Sequence, residues 1–156
     1  MTDIRDYEAR HRADFRRLNI EWLERYFVVE PIDEKVLSDP ETHILSDGGH
    51  ILMAEDGGEV VGTVALKQQE AGVFELTKMA VTADQQGRGI GRSLLDAALA
   101  RFTELRANRL YLESHSSLDT ALHLYERAGF RHEPPPSPSD YDRADVYMVY
   151  YPPEAS

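Results

Sequence analysis

The chain has 156 residues, of which 42% are hydrophobic and 29% charged, a composition typical of one globular domain spanning residues 1–156. It contains no cysteine, which excludes disulfides, thiolate metal sites and a cysteine nucleophile. Its net charge of −11 makes nucleic acid and anionic membranes poor partners. A polar start and the lack of any apolar run of roughly 20 residues predict a cytoplasmic protein.

Two helices are predicted first. Phe15, Leu18, Trp22 and Tyr26 recur at spacings of three and four, so they share one face of a helix. Pro31–Ser38 is predicted to form a second, shorter helix.

Three strands are predicted next, over residues 50–55, 60–69 and 74–81. Each is a short apolar run bounded by glycine or acidic residues. Asp56-Gly57-Gly58 separates the first two runs and is a hairpin signal. We therefore expect an antiparallel meander.

A long amphipathic helix follows. Its apolar stripe consists of Ile90, Leu94, Leu95, Ala98, Phe102 and Leu105. Arg109–Ser114 is then predicted as a strand that lies parallel to its predecessor after a crossover.

A further helix and two strands complete the predicted order. Ser116 and Ser117 are expected to cap the helix, and Gly129 is placed to end it. Strands are predicted over residues 130–133 and 146–151, joined by a proline-rich loop. The order predicts one mixed α/β layer structure.

The segment Gly87-Arg88-Gly89-Ile90-Gly91 carries the main chemical signal. It lies between a predicted strand and a predicted helix, where glycines allow close approach of an anion and the helix N-terminus offers unpaired N–H groups. Arg88 and Arg92 add positive charge. The spacing fits neither a Walker loop nor a dinucleotide fingerprint. The alternative is a strand-to-helix turn without a ligand.

Two runs together resemble motifs of the GNAT superfamily of N-acetyltransferases. Residues 86–91, after the strand 75–81, resemble motif A, and residues 121–130, Ala-Leu-His-Leu-Tyr-Glu-Arg-Ala-Gly-Phe, resemble motif B. The resemblance covers roughly residues 51–150. It implies the GNAT acyl-CoA N-acyltransferase fold, an α/β (α+β) structure. In that fold, helices flank a central, mixed, mostly antiparallel twisted sheet that is splayed between its fourth and fifth strands.

The resemblance also implies an activity. Family members move the acetyl group of acetyl-CoA, the acyl-donor co-substrate, to a primary amine by direct attack in a ternary complex. The residues that match family positions for the donor are Met79, Ala80, Val81, Gln86, Gly87, Arg88, Gly89, Ile90, Gly91, Arg92, Ser93 and Ser114. The backbone N–H of Val81 would polarise the thioester carbonyl. Ser114 or Ser116 stands where an asparagine is common in the family.

Two residues match catalytic positions of the family. Glu75 matches the base that takes the proton of the amine, and Tyr125 matches the acid that protonates the leaving thiolate. The alternatives are a solvated Glu75 or one paired with Lys78, and a Tyr125 that is only part of the core. Tyr125 shares a helix face with apolar residues.

The acceptor side is less specified. Trp22, Tyr26 and Arg143 are candidate substrate residues, although periodicity places Trp22 and Tyr26 in the core and Arg143 could pair with Asp142 or Asp145. The histidines show no ligand spacing, so no metal is expected. The family resemblance suggests a homodimer. Alternatives to the acetyltransferase are transfer of a longer acyl group, a non-catalytic CoA-binding regulatory module, and an interaction domain.

Overall fold

The computed structural model describes residues 2–153. Within this part of the chain, seven strands form one sheet in the order β1-β2-β3-β4-β5-β7-β6. The strands are β1 Thr2–Asp6, β2 His50–Asp56, β3 Glu59–Glu70, β4 Val73–Val81, β5 Arg109–Ser114, β6 Phe130–His132 and β7 Val146–Tyr150. The helices are α1 Arg12–Tyr26, α2 Pro31–Ser38, α3 Ile90–Leu105 and α4 Asp119–Ala128.

The sheet is mixed and mostly antiparallel, as predicted. The strands β2, β3 and β4 form the expected meander, and the two-residue turn of Gly57 and Gly58, both with positive φ, joins the first two. Among the described strands, only β4 and β5 pair in parallel, and they are connected through α3. A crossover helix is the usual connection between parallel neighbours.

The sheet opens between β4 and β5. These strands pair only from Val73 to Glu75 on one side and from Arg109 to Tyr111 on the other. Beyond those residues β4 continues to Val81 and β5 to Ser114 without pairing to each other. This confirms the predicted splay between the fourth and fifth strands, and it leaves one edge of β4 open to a ligand.

Two hydrophobic clusters hold the helices on opposite sides of the sheet. One contains the apolar face of α3, including Leu94 and Leu95, and the other contains Phe15 and Leu18 of α1. Alternation along a strand sends neighbouring side chains to different clusters, as Leu52 and Met53 of β2 illustrate. None of the helices described is long and apolar enough to cross a bilayer.

One strand was missed by the sequence-based prediction, and one expectation about a helix cap was wrong. The strand β1 was not predicted, because Thr2–Asp6 has one apolar residue, Ile4, and forms an edge strand beside β2. Ser116 and Ser117 do not cap α4. Leu118 occupies the N-cap without a side-chain hydrogen bond, and Ser116 binds Asp145 through its backbone N–H and its hydroxyl.

The predicted end of α4 is confirmed. Gly129 terminates the helix with φ of 118°, a conformation that favours glycine. A Cβ at this position would lie 2.7 Å from the carbonyl oxygen of Tyr151. The turn therefore also fixes how α4 returns to the sheet.

Candidate active site

Three adjoining cavities lie at the splayed strands. The loop cleft runs from Gly87 and Gly91 past Met79 and Val81 to Leu124 of α4. The central cleft lies deeper, between β4, β5, α1 and α4, and shares Trp22, Met79, Leu118 and Ala121 with the loop cleft. The outer pocket lies beyond it and shares Glu75, Thr77, Lys78, Glu113 and Tyr141 with the central cleft.

The glycine segment has the geometry of an anion site. Gly87 and Gly89 have φ of 84° and 81°, and a Cβ at either would meet nothing within 4 Å. Gly89 is the N-cap of α3 and offers no side chain to cap it. The first helical hydrogen bond runs from the Ser93 N–H to the Gly89 carbonyl. The N–H groups of residues 90–92 thus precede the helical ladder and can bind an anion.

Two arginines lie beside this helix end. Arg88 is 3.8 Å from Asp56 and also donates to Gln85, and Arg92 is 3.8 Å from Asp96. Both guanidinium groups are exposed, and exposed ion pairs of this kind contribute little. They are therefore available to an anionic ligand such as a pyrophosphate.

The other residues predicted to bind the acyl donor do not all line the same cleft. Gln86 lines the loop cleft and donates from Nε2 to the carbonyl of Val81 at 3.3 Å. Ala80 and Ile90 also line it, but both are buried in the hydrophobic clusters. The structure places Ser114 in the central cleft. Arg92 and Ser93 are exposed on α3, outside the wall of the loop cleft.

An irregularity in β4 lies at the centre of the site. The register between β3 and β4 shifts, so that Lys78 and Met79 face the single residue Val64. Lys78 has φ of 55°, an uncommon conformation for a residue other than glycine. Such a bulge re-aims a side chain, and here Lys78 lines both the central cleft and the outer pocket.

Glu75 is buried between the two inner cavities. It is 7% exposed, and its Oε1 accepts a hydrogen bond of 2.9 Å from Nε2 of Gln69. Burial, reinforced by the charge of Glu113, raises the pKa of Glu75 to about 7, although Lys78 acts in the opposite direction. The expected alternatives were wrong in detail, because Glu75 is not solvated and Lys78 forms its ion pair elsewhere.

The partner of Lys78 is Asp33. The Lys78 ammonium lies 3.7 Å from Oδ1 of Asp33 and donates to the Tyr141 hydroxyl at 2.7 Å. Burial lowers the pKa of Lys78, and Asp33 and Glu75 oppose this effect. The sequence did not predict that Lys78 contacts Asp33 and Tyr141, since residues so distant in the chain are brought together only by the fold.

Arg143 is held by α2. Its guanidinium donates to both carboxylate oxygens of Asp33, at 2.9 and 2.7 Å, and to Glu30 at 2.9 Å. The expected pairing with Asp142 or Asp145 was therefore wrong. Although Arg143 lines the central cleft, most of its donors already have acceptors.

Tyr125 faces the central cleft from α4. Its ring packs edge-to-face against Phe130, with centroids 5.8 Å apart. Its hydroxyl has no hydrogen-bond partner among residues 2–153, and burial raises its pKa to about 12. The residue therefore packs against the core, as its periodicity predicted, and also lines the cleft.

Trp22 and Tyr26 of α1 line the wall of the loop cleft. Trp22 lines both the loop cleft and the central cleft, and Tyr26 lines only the loop cleft. Tyr26 is 44% exposed, so its expected place in the core was wrong. The rings of the two residues are 5.3 Å apart. Both residues share the loop cleft with the glycine segment, and neither lines the outer pocket.

The comparison with known protein families identifies the family of this chain. A model described as "Acetyltransferase (GNAT) family" matches residues 12–130. The chain belongs to the GNAT acetyltransferase family. The matched range includes the glycine segment, the β4 irregularity and Tyr125, so the family assignment covers most of the site of this GNAT protein.

Relatives and solved structures agree with this assignment. The chain is 34% identical over 93 residues to "Uncharacterized N-acetyltransferase YjgM" of Escherichia coli, which covers 57% of the chain and 56% of that relative. A GNAT-family acetyltransferase structure from Staphylococcus aureus superposes with a TM-score of 0.86 at 21% identity, covering 96% and 98% of the two chains. The PaiA N-acetyltransferase of Thermoplasma acidophilum, solved with coenzyme A, gives 0.73 at 18% identity, covering 96% and 98%.

The sequence relative and the solved structures support different statements about the chain. The chain spans about half the length of YjgM, and the structural matches establish the fold. The sequence-based expectation of the GNAT fold is thereby confirmed.

Proposed function

We propose that this GNAT protein is an acetyl-CoA-dependent N-acetyltransferase that transfers the acetyl group to a primary amine by direct attack in a ternary complex. The observation that carries the proposal is the position of Glu75 and Tyr125, which face the same central cleft from β4 and α4. One is a carboxylate with a raised pKa, and the other is a hydroxyl without a hydrogen-bond partner among residues 2–153. They match the base and the acid that the reaction needs.

The donor would lie along the loop cleft. The N–H groups at the start of α3, with Arg88 and Arg92, would hold the pyrophosphate. The open edge of β4 from Met79 to Val81 would meet the pantetheine arm and the thioester, with the Val81 N–H polarising the carbonyl. This placement is supported by the open space around Gly87 and Gly89 among the described residues and by the structure of the PaiA N-acetyltransferase in complex with coenzyme A.

The acceptor would enter from the side of the outer pocket. Amines with a pKa near 10 are protonated at pH 7, so Glu75 takes one proton from the ammonium before attack. The nitrogen then forms a bond to the acetyl carbon and the carbon–sulfur bond breaks. The Tyr125 hydroxyl gives its proton to the leaving thiolate, and a second proton lost from the nitrogen restores that hydroxyl. The products are an amide and free coenzyme A, and Glu75 releases the first proton to solvent.

The remaining expectations belong to the same proposal. A single domain over residues 1–156, a cytoplasmic location and a homodimer stay predictions. Two solved relatives of the same fold are named for amine acceptors, the ribosomal-protein-S18-alanine N-acetyltransferase of E. coli and a chimera of the spermidine N-acetyltransferase SpeG. Their names support an amine acceptor here.

Initial-rate kinetics test the direct transfer. When acetyl-CoA and a primary amine are both varied, a ternary complex gives intersecting double-reciprocal lines, and intact-protein mass spectrometry finds no acetylated enzyme. Parallel lines with an acetylated intermediate would contradict direct attack. If acetyl-CoA binds but no amine is acetylated, the chain is a CoA-binding module instead.

A further inference from the structure

We propose that the outer pocket selects acceptors that carry a second positive charge, specifically small linear diamines or polyamines. The inference rests on the proposed function, because the outer pocket begins where the central cleft ends. The amine to be acetylated would lie at Glu75, and the second ammonium would lie farther out, toward Asp140.

The outer pocket has a defined floor and wall. Its floor is the face of the sheet where β3, β4, β5 and β7 present Gln69, Thr77, Tyr111 and Tyr147. Its wall is the proline-rich segment 136–141. This segment restricts the space above the sheet, so the pocket suits a slender molecule better than a folded partner.

The charge of the lining favours a cation. Four carboxylates line the pocket, those of Glu70, Glu75, Glu113 and Asp140, against the two ammonium groups of Lys67 and Lys78. The charge of Lys78 is already matched by Asp33 at 3.7 Å. The lining thus has an excess of negative charge, which the net charge of −11 reinforces.

An unpaired carboxylate oxygen points to a cationic ligand independently of the charge count. Glu75 is 7% exposed, and Gln69 binds its Oε1. Its second oxygen, Oε2, has no hydrogen-bond partner among the residues that the structure describes. A carboxylate oxygen held in this way between two cavities lacks a donor, and an ammonium group supplies one.

Aromatic rings complete the recognition surface. Tyr111 and Tyr147 stack with centroids 5.4 Å apart, and Tyr141 lines the same pocket. The Tyr141 ring already binds two cations, with the Lys78 ammonium 4.5 Å and the Arg143 guanidinium 4.6 Å from its centre, which leaves the pair of Tyr111 and Tyr147 for the ligand. Rings and carboxylates around one space are the surroundings that bind alkylammonium groups.

Matched acceptors test the inference. Rates of thiol release from acetyl-CoA are compared for 1,4-diaminobutane, spermidine, butylamine and 4-aminobutanoate, which share a primary amine but differ in the second group. We expect kcat/KM for 1,4-diaminobutane to exceed that for butylamine by about tenfold or more, the effect of one hydrogen bond to a charged group. The 4-aminobutanoate should be the poorest.

A substitution at Asp140 tests whether the outer pocket causes the preference for 1,4-diaminobutane. Asp140→Asn should reduce the ratio of kcat/KM for 1,4-diaminobutane to that for butylamine toward one. Asp142→Asn removes the same charge from the same loop, but its side chain lies outside both inner cavities, so the ratio should not change.

The outcomes separate the inference from the function on which it rests. Equal use of butylamine and 1,4-diaminobutane, or a preference for 4-aminobutanoate, overturns the inference and leaves the acetyltransferase intact. Acetylation of a lysine-containing peptide in strong preference to spermidine also overturns it. If no amine releases thiol, the proposed function itself fails.

Discussion

Asp33 of α2 accepts hydrogen bonds from Arg143 through both of its carboxylate oxygens, at 2.9 and 2.7 Å. Asp33 is fully buried, and its Oδ1 is also 3.7 Å from the Lys78 ammonium. One carboxylate therefore connects α2, the irregular part of β4 and the segment that follows the proline-rich loop. These three elements surround the central cleft.

Removal of that carboxylate should destabilise the protein. We expect Asp33→Ala to lower the free energy of unfolding by about 3 kcal/mol, because it leaves two partly or fully buried cations without their partner. Chemical denaturation measures the change. Asp142→Asn, in the same segment, should stay within about 0.5 kcal/mol of the parent, and an equal loss in both variants would contradict the role of Asp33.

The hydrogen bonds between Arg143 and Asp33 also predict how the stability of the fold depends on pH in acid. Burial acts to raise the pKa of Asp33, but the hydrogen bonds from Arg143 and from the Glu30 backbone outweigh it, so that the pKa is lowered. Its contribution is thus present above the unfolded pKa of 3.8 and is lost as the pH falls through the folded value. The difference in melting temperature between the parent and Asp33→Asn should shrink below pH 4.

Glu75 predicts the opposite dependence of stability. Its pKa is raised to about 7 by burial and by Glu113, against the effects of Lys78 and Lys67. Between its ordinary pKa of 4.5 and about 7 the folded state binds more protons than the unfolded state, so a rise in pH costs stability there. Glu75→Gln should raise the melting temperature more at pH 8 than at pH 5. An equal shift at both values would contradict a buried, titrating Glu75.

The activity of the parent should depend on the protonation state of Glu75. A base must be deprotonated, so kcat/KM should fall as the pH falls through about 7, and Glu75→Gln should lose this inflection along with most of the rate. A profile that keeps its inflection near pH 7 in the variant would assign the base to another residue.

Tyr125→Phe should separate chemistry from packing. The ring keeps its contact with Phe130, and the lost hydroxyl has no hydrogen-bond partner in the described part of the chain. We expect kcat to fall about a hundredfold or more with little change in melting temperature. Tyr150→Phe removes a hydroxyl from the opposite end of the same aromatic cluster and should keep the parent rate. A Tyr125→Phe variant as active as the parent would leave Tyr125 as a core residue.

Gly89→Ala tests the donor loop. Both Gly89 and Gly58 have positive φ, 81° and 89°, and both have free space where a Cβ would stand. Alanine at either position should cost about 1–2 kcal/mol of stability for the left-handed conformation. Only Gly89→Ala should weaken acetyl-CoA binding, by about tenfold, as isothermal titration would show. Equal affinities in the two variants would place the pyrophosphate elsewhere.

The sequence was informative wherever function or fold depends on local pattern. The glycine segment and Tyr125 lie in runs whose spacing is characteristic of the family. The meander follows from Gly57 and Gly58 at a hairpin turn, and the amphipathic stripe of α3 predicted which side of that helix is buried.

The acceptor side could not be predicted in the same way. Lys78 enters the cleft because β4 is irregular at that residue, and nothing in a run of apolar and polar residues marks a one-residue bulge. Asp33 and Arg143 are 110 residues apart, so their contact depends on tertiary packing. The strand β1 was missed because an edge strand needs few apolar residues.

The most direct test of the account is amine-dependent release of thiol from acetyl-CoA by the purified chain. The protein contains no cysteine, so every thiol detected comes from the donor. We predict one free thiol and one acetylated amine per turnover, at a rate about a hundredfold or more lower when Tyr125→Phe replaces the parent. Acetyl-CoA that neither raises the melting temperature nor releases thiol with any amine would contradict the account.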